Sequence, residues 1–252
     1  TLITGASSGI GAAFAEKLAQ FGTPLILVAR SEERLAQLAT KLTAQHKTDV
    51  RYITADLTVR EAPEAIKKQC DAWDIQVSFL INNAGYGKFG EMKDIDRMAQ
   101  SKMVDLNCRA VVDLATIFLP PMIERKNGAM IITSSVGGYQ ATPFYATYGA
   151  TKAFDLIFGE SLWAELRPYN VDVLVLSPGA TESNFHAVAR NSTRLLDRGL
   201  DTAEAVVQTA LDSLGKRLSV VHGAKNRMLV FLNRLVPRSM AAQFSYNYSK
   251  LK

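Results

Sequence analysis

Seven short runs of β-branched and aliphatic residues punctuate this chain: "TLIT", "PLILVAR", "VRYITADL", "VSFLINNAG", "GAMIITSSV", "VDVLVLSPG" and "LSVVHG". Longer stretches with helical spacing lie between them. After the first run, Ala12, Phe14, Ala15, Leu18 and Ala19 recur three and four residues apart. Strands alternating with helices are the signature of βαβ units, in which each crossover returns the chain parallel to the strand before it. Because such crossovers are right-handed, the pattern predicts an α/β fold: a doubly wound, Rossmann-type parallel sheet of about seven strands with helices on both faces. The 252 residues suit a single domain over 1–252, and no linker, repeat or low-complexity segment divides them. One long helical stretch is expected from about Asp94 to Arg125, interrupted near its end by Pro120 and Pro121. Another runs from about Thr147 to Leu166, with Phe154, Ile157, Phe158 and Leu162 on one side.

Gly5, Gly9 and Gly11 fall at the junction of the first strand and the first helix, in "TLITGASSGIGAAFAEKLA". Glycine destabilises regular structure by roughly 0.5–1 kcal/mol relative to alanine, so three together point to a tight turn with something lying close against it. In open parallel sheets, ligands bind beyond the carboxyl ends of the strands. A helix start there offers backbone N–H groups and the positive end of its dipole, which suit a pyrophosphate. The spacing is G-x-x-x-G-x-G rather than G-x-G-x-x-G, and no Gly-Lys-Ser/Thr follows, so the loop reads as a dinucleotide site and not a Walker loop.

Further motifs follow in order: Asp56 after the third strand, "NNAG" at 82–85, Asn107, Ser135, "YGATK" at 148–152 and "PG" at 178–179. With "TGASSGIG" at 4–11 they resemble the short-chain dehydrogenase/reductase family, over about residues 1–185 by motif and beyond by general layout. The resemblance implies an oxidoreductase with a nicotinamide dinucleotide. Gly5, Ser7, Ser8, Gly9, Ile10 and Gly11 would cradle its phosphates. Asp56 and Leu57 would meet the adenine. Asn83, Ala84 and Gly85 would line the adenosine ribose, and Pro178, Gly179, Thr181 and Ser183 the nicotinamide end. The family usually has threonine where Ser183 stands, and the hydroxyl survives. The resemblance also implies a homodimer or homotetramer, paired through the Tyr148 helix and the long helix before the fifth strand.

Tyr148 and Lys152 are four apart in a helical stretch and share a face, while Ser135 ends a different strand at the same edge of the sheet. Reducing a carbonyl requires a hydride on carbon and a proton on the emerging alkoxide. A free tyrosine, with a pKa of about 10, matches neutral pH poorly. The neighbouring Lys152 ammonium is expected to lower it, making Tyr148 an acid in reduction and a base in oxidation. Ser135 can hold the carbonyl oxygen and steady its developing charge. By resemblance, Lys152 also grips the nicotinamide ribose, and Asn107 helps hold a water that relays the proton. The catalytic set is therefore Asn107, Ser135, Tyr148 and Lys152.

At the end of the second strand, an acid would bind both ribose hydroxyls of NAD and repel a 2′-phosphate. The chain has Ala29 and Arg30 there, then Ser31 as the cap of the next helix. Arginine donates paired, charge-assisted hydrogen bonds to phosphate, and a capped helix start adds N–H groups. NADP(H) is the expected cofactor and NAD(H) the alternative. A solvent-facing Arg30 paired with Glu32 or Glu33 is the competing reading.

Other chemistries find little support. His46, His186 and His222 are isolated, Ser135 lacks a G-x-S-x-G elbow, and Cys70 and Cys108 have no metal or redox spacing, so neither hydrolase nor metal site is expected. Two unlinked thiols fit a reducing cytoplasm, and no apolar run reaches the roughly 18 residues of a membrane span. The net charge is +5, yet the eight basic residues after Asp212 meet no acid, leaving the body at −3. An acidic body without a recognition module excludes nucleic acid. Substrate choice is assigned to loops at Tyr86–Met92, Gly137–Thr147 and Ser183–Leu200, with 183–200 as the main substrate loop and His186, Arg190, Arg194 and Arg198 upon it. The basic, apolar segment 225–252 reads as a helix packed on the core or on a dimer partner, or as a peripheral membrane element. The functional expectation is an NADPH-dependent reductase of a ketone or aldehyde. An NAD-dependent alcohol dehydrogenase and a non-catalytic dinucleotide sensor are the alternatives.

Overall fold

Runs that are apolar at every position, rather than at alternate ones, must be covered on both faces of a sheet. The computed structural model, which describes residues 1–182 and 200–250, shows that arrangement. All seven runs are strands: β1 (Leu2–Thr4), β2 (Leu25–Ala29), β3 (Val50–Thr54), β4 (Phe79–Asn82), β5 (Gly128–Thr133), β6 (Val171–Ser177) and β7 (Ser219–Val221). They form one parallel sheet in the order β3-β2-β1-β4-β5-β6-β7. β1 lies centrally, with Leu2 in register with Ile26 on one side and Leu80 on the other.

Side-chain alternation sends neighbouring residues to opposite layers. Leu2, Ile26, Leu80, Met130 and Val173 pack on one side with Ile66 of α3 (Ala62–Ala72) and Leu114, Phe118 and Met122 of α5 (Ala110–Arg125). Ile3, Leu27, Ile81, Ile131 and Leu174 pack on the other with Phe14 of α1 (Gly9–Gln20), Leu35 and Leu42 of α2 (Glu32–His46), and Val206 and Val207 of α7 (Ala203–Ser213). Each such burial contributes about 1.5–3 kcal/mol. The two layers fix the strand tips, and hence the site beyond them.

The long helical stretch breaks where the sequence did not signal it. α4 (Arg97–Val104) joins α5 through a π-helical turn at Asp105–Arg109. Pro120 and Pro121 do not interrupt α5, which runs on to Arg125. Two helical prolines cost about 3 kcal/mol each, and burial of Phe118, Leu119 and Met122 around them offsets that loss. Arg97–Arg125 is the one described stretch long and apolar enough to cross a membrane. Here it packs on the sheet, with Met103, Leu114 and Phe118 at 2 % exposure or less.

α6 (Ala146–Leu166) follows β5 and lies along β6. After β7 come α8 (Ala224–Asn233) and α9 (Arg238–Ser249), which bury only Val230 and Ser245 of their own residues. Of the placements expected of segment 225–252, packing on the core thus involves few of its side chains. They stand over the carboxyl edge of the sheet, where Tyr246 stacks on Phe144 with ring centroids 5.4 Å apart and Asn233 bonds Gln140.

Candidate active site

The glycine loop leaves β1 at the point where neighbouring strands diverge, with β2 to one side and β4 to the other. That switch point opens a crevice in sheets of this kind. Gly5 and Gly9 adopt φ of +67° and +55°, a region that penalises side chains. At Gly11 the constraint is space: a Cβ would lie 2.3 Å from the Gly5 carbonyl oxygen and 2.7 Å from Asn83 Nδ2. Ser8 caps α1 in extended conformation without a side-chain bond, and the first turn holds no acid. Ser7, Ser8 and Ile10 line the cleft around these uncapped N–H groups. The cradle fits a pyrophosphate. Thr4 secures it: Asn83 N and Ala84 N donate to its Oγ1 at 2.9 and 3.0 Å, and Asn83 Nδ2 to its carbonyl at 3.0 Å.

Arg30 and Ser31 line the same cleft after β2. Arg30 is exposed and forms no ion pair with Glu32 or Glu33, and Ser31 caps α2 without a side-chain bond. Arg34, one turn along α2, joins them; the sequence reading passed over it because it sits in an ordinary charged helix start. Asp56 accepts from Thr58 N at 2.9 Å and Thr58 Oγ1 at 2.8 Å. Burial pushes its pKa up, but these bonds and the Arg30 and Lys102 charges outweigh it, so the carboxyl sits below its usual range. The buried Leu57 offers its carbonyl to Arg109 Nη2 at 3.0 Å, which pins the loop. A Cβ on Gly85 would come within 3.3 Å of both Asn107 Oδ1 and Lys152 Nζ.

The four expected catalytic residues come from three elements: Ser135, Tyr148 and Lys152 line the cleft beyond β4 and β5, whereas Asn107 lies buried behind Gly85 and is not among its lining residues. Ser135 lies two residues beyond the end of β5 and caps a short 3-10 turn (Val136–Tyr139), accepting from Gly137 N at 3.1 Å. Its side chain is hydrogen-bonded to Tyr148 on α6. Lys152, one turn further, is 4 % exposed, and its Nζ donates to the Thr133 carbonyl at 2.7 Å and Asp155 Oδ2 at 2.9 Å. Ser134 Oγ donates to the Lys152 carbonyl at 2.6 Å. Gly149 gives Thr142 room to approach, since a Cβ there would overlap Thr142 Oγ1. These contacts seat α6 against the tip of β5.

The Tyr148 phenol departs from expectation. Burial raises its pKa, Lys152 and the Ser135 bond lower it, and Asp155 raises it, leaving it above the ordinary tyrosine value. Asn107 lies in the π turn, fully buried. Its Oδ1 accepts from Tyr86 N at 3.1 Å, and its Nδ2 donates to the Tyr86 carbonyl at 3.0 Å and Thr151 Oγ1 at 2.9 Å. The amide thus ties the loop after β4 to α6, one residue before Lys152.

Pro178, Gly179 and Thr181 follow β6 into the cleft. The Pro178 carbonyl accepts from Val136 N at 3.0 Å, and Thr181 Oγ1 donates to the Gly179 carbonyl at 3.1 Å. Ser183, His186, Arg190, Arg194 and Arg198 lie outside the described residues. The cleft measures about 1960 Å³, above the roughly 300–1,000 Å³ usual for one small ligand. Gly137, Gln140, Pro143 and Tyr145, from the second of the loops assigned to substrate choice, line it. Leu229, Leu232, Val236, Met240 and Phe244, from the two C-terminal helices and the turn between them, line it as well, where sequence composition did not place them. Among the described residues no group of His, Cys, Asp or Glu could hold a metal.

The family model for short chain dehydrogenases matches residues 1–194. The chain is 30% identical to the 7beta-hydroxysteroid dehydrogenase of Mediterraneibacter gnavus, over 91% of this chain and 88% of that one. It is 27% identical to the very-long-chain 3-oxoacyl-CoA reductase of Mus musculus, over 99% and 79% respectively. Among solved structures it matches the short-chain dehydrogenase from Sphingobium yanoikuyae in complex with NADPH, with a TM-score of 0.82, 31% identity and coverage of 93% of this chain and 92% of that one.

Proposed function

The chain belongs to the short-chain dehydrogenase family, and on that premise we propose that it is an NADPH-dependent reductase of a bulky, apolar ketone or aldehyde, reversible as an alcohol dehydrogenase. The observation that carries this reading is the convergence of Ser135, Tyr148 and Lys152 on the cleft whose far end is the glycine loop. A nicotinamide held there supplies the hydride. Ser135 Oγ holds the carbonyl oxygen in place, and Tyr148 delivers its phenolic proton to that oxygen as charge develops. The buried Lys152 ammonium stabilises the phenolate that remains and has a donor for the nicotinamide ribose. In the oxidative direction the phenolate takes the proton back.

Arg30, Arg34 and Ser31 support NADP(H) over NAD(H), because they offer cations and a helix start where a 2′-phosphate would lie. Titration with NADPH and NADH, followed by nicotinamide fluorescence, tests the choice; apolar ketones and aldehydes are then added to the preferred complex. Tighter NADPH binding and carbonyl-dependent oxidation are expected. A preference for NADH would return the reading to an NAD-linked dehydrogenase, and binding without turnover to a sensor.

The apolar C-terminal wall supports a bulky substrate, as do relatives named for steroid and long-chain acyl chemistry. The same helices support a peripheral membrane contact. Met228, Phe231, Leu235 and Phe244 are each more than 60 % exposed. Lys225, Arg227, Arg234, Arg238 and Lys250 accompany them with no acid. An apolar surface fringed only by cations matches an anionic bilayer. On this reading part of the enzyme's population lies on a membrane surface. Sedimentation with phosphatidylserine vesicles should be lost in Phe231→Asp/Leu235→Asp; equal sedimentation of both proteins would contradict the contact. A homodimer through the faces of α5 and α6 would cover Phe154 and Ile157, which are 39 % and 62 % exposed. Light scattering should report twice the chain mass, and a monomer would refute the pairing.

A further inference from the structure

Residues 148, 152 and 155 are spaced by four and then three, so α6 presents Tyr148, Lys152 and Asp155 on one face. The first two belong to the reaction already described. Asp155 is 0 % exposed, and a buried carboxylate is unfavourable unless a cation accompanies it. Its Oδ2 meets Lys152 Nζ at 2.9 Å, while its Oδ1 has no hydrogen-bond partner among the described residues. With the Thr133 carbonyl at 2.7 Å, two of the three ammonium donors are committed to the protein. The cleft-facing remainder of the ammonium lies beside Gly85. The carboxylate thus meets the lysine away from the cleft, since Lys152 lines it and Asp155 does not. Cys108, from the π turn, is the one ionisable group of a neighbouring element that acts on this pair among the described residues; burial pushes its thiol up to about 12, so it adds no charge at neutral pH.

We propose that Asp155 is a positioning residue for the reaction: its carboxylate fixes the Lys152 ammonium against β5 and cancels part of its charge, so that Tyr148 keeps its phenolic proton through neutral pH and stands ready to donate it. Without that carboxylate the ammonium beside Tyr148 would draw the proton off the phenol before substrate arrives, and the Asp155 contact counters that pull. The directions agree: burial presses Lys152 down, yet Asp155 and Tyr148 hold it above the usual lysine value, while burial and then Asp155 act to raise Tyr148 against the pull of Lys152.

The inference rests on the reading of Tyr148 as the proton donor. It is tested on the full-length holoenzyme by the pH dependence of kcat/KM in both directions, comparing wild type, Asp155→Asn and Asp155→Ser. With the carboxylate charge removed, the alkaline limb of reduction and the acid limb of oxidation should both move to lower pH by about one unit. Limbs that stay in place or move upward, whatever the loss of rate, would make Asp155 a packing residue and overturn the inference. Should neither variant fold, the phenolate absorbance difference between wild type and Tyr148→Phe decides. No phenolate at neutral pH is expected, and a phenolate band there would overturn the proposal. Turnover surviving in Tyr148→Phe would instead remove the reading beneath it.

Discussion

Gly11→Ala sets two physical effects against each other. Gly11 lies inside α1, and on helix propensity alone alanine should stabilise the helix by about 1 kcal/mol. The added Cβ would sit 2.3 Å from the Gly5 carbonyl oxygen and 2.7 Å from Asn83 Nδ2, where real Cβ contacts begin near 3.0 Å. The loop must therefore retreat by some 0.7 Å, the difference between 2.3 and 3.0 Å. The obstacle is backbone on one side and, on the other, an amide already bonded to Thr4 at 3.0 Å, so neither yields cheaply. Overpacking of this kind costs about 1–3 kcal/mol. The clash should win by about 1 kcal/mol, lowering Tm by about 2–4 °C in a domain of this size. NADPH binding should suffer more, since displaced N–H groups no longer meet the phosphates; a shift approaching 1 Å weakens positioning by roughly tenfold to a hundredfold. Differential scanning fluorimetry and nicotinamide fluorescence titration measure the two effects. A variant that is more stable and binds NADPH normally would show that the loop is not a close-fitting cradle.

Arg30→Asp should weaken NADPH by roughly tenfold to a hundredfold through loss of charge-assisted bonds worth about 1.5–3 kcal/mol, while NADH affinity holds or improves; paired titrations measure the ratio. Asn107→Ala removes an amide that makes three bonds to Tyr86 and Thr151. With partners left buried, it should cost about 3 kcal/mol and lower Tm by about 6–12 °C, with activity falling further than stability because Tyr86 and α6 both lose their tie. Thermal unfolding and turnover measured on one preparation separate the two losses.

The seven strands were legible because a parallel sheet covered on both faces demands continuous apolar runs, and these recur between longer stretches of helical spacing. The glycine loop was legible for a related reason: Gly5, Gly9 and Gly11 answer to backbone conformation and close approach, which few other residues satisfy. What stayed hidden depended on tertiary context. Pro120 and Pro121 read as a break, but burial of Phe118, Leu119 and Met122 carries α5 past them. The actual irregularity, the π turn at Asp105–Arg109, has no glycine or proline to mark it. The segment after Ala224 showed apolar and basic composition but not which surface it would meet, and it forms a wall of the cleft. The Tyr148-Lys152 spacing put the two side chains on one helix face, and both line the cleft. The net direction of the Tyr148 shift followed from burial and from Asp155, neither of which the four-residue spacing encodes.

The central claim is that Tyr148 transfers the proton in an NADPH-linked carbonyl reduction. Its most direct test is carbonyl-dependent NADPH oxidation by wild type and Tyr148→Phe, side by side across one panel of apolar ketones, with NADPH affinity measured on the same samples. The account predicts turnover in the wild type, its near abolition in Tyr148→Phe, and similar NADPH binding in both. Equal turnover by the two proteins would contradict it.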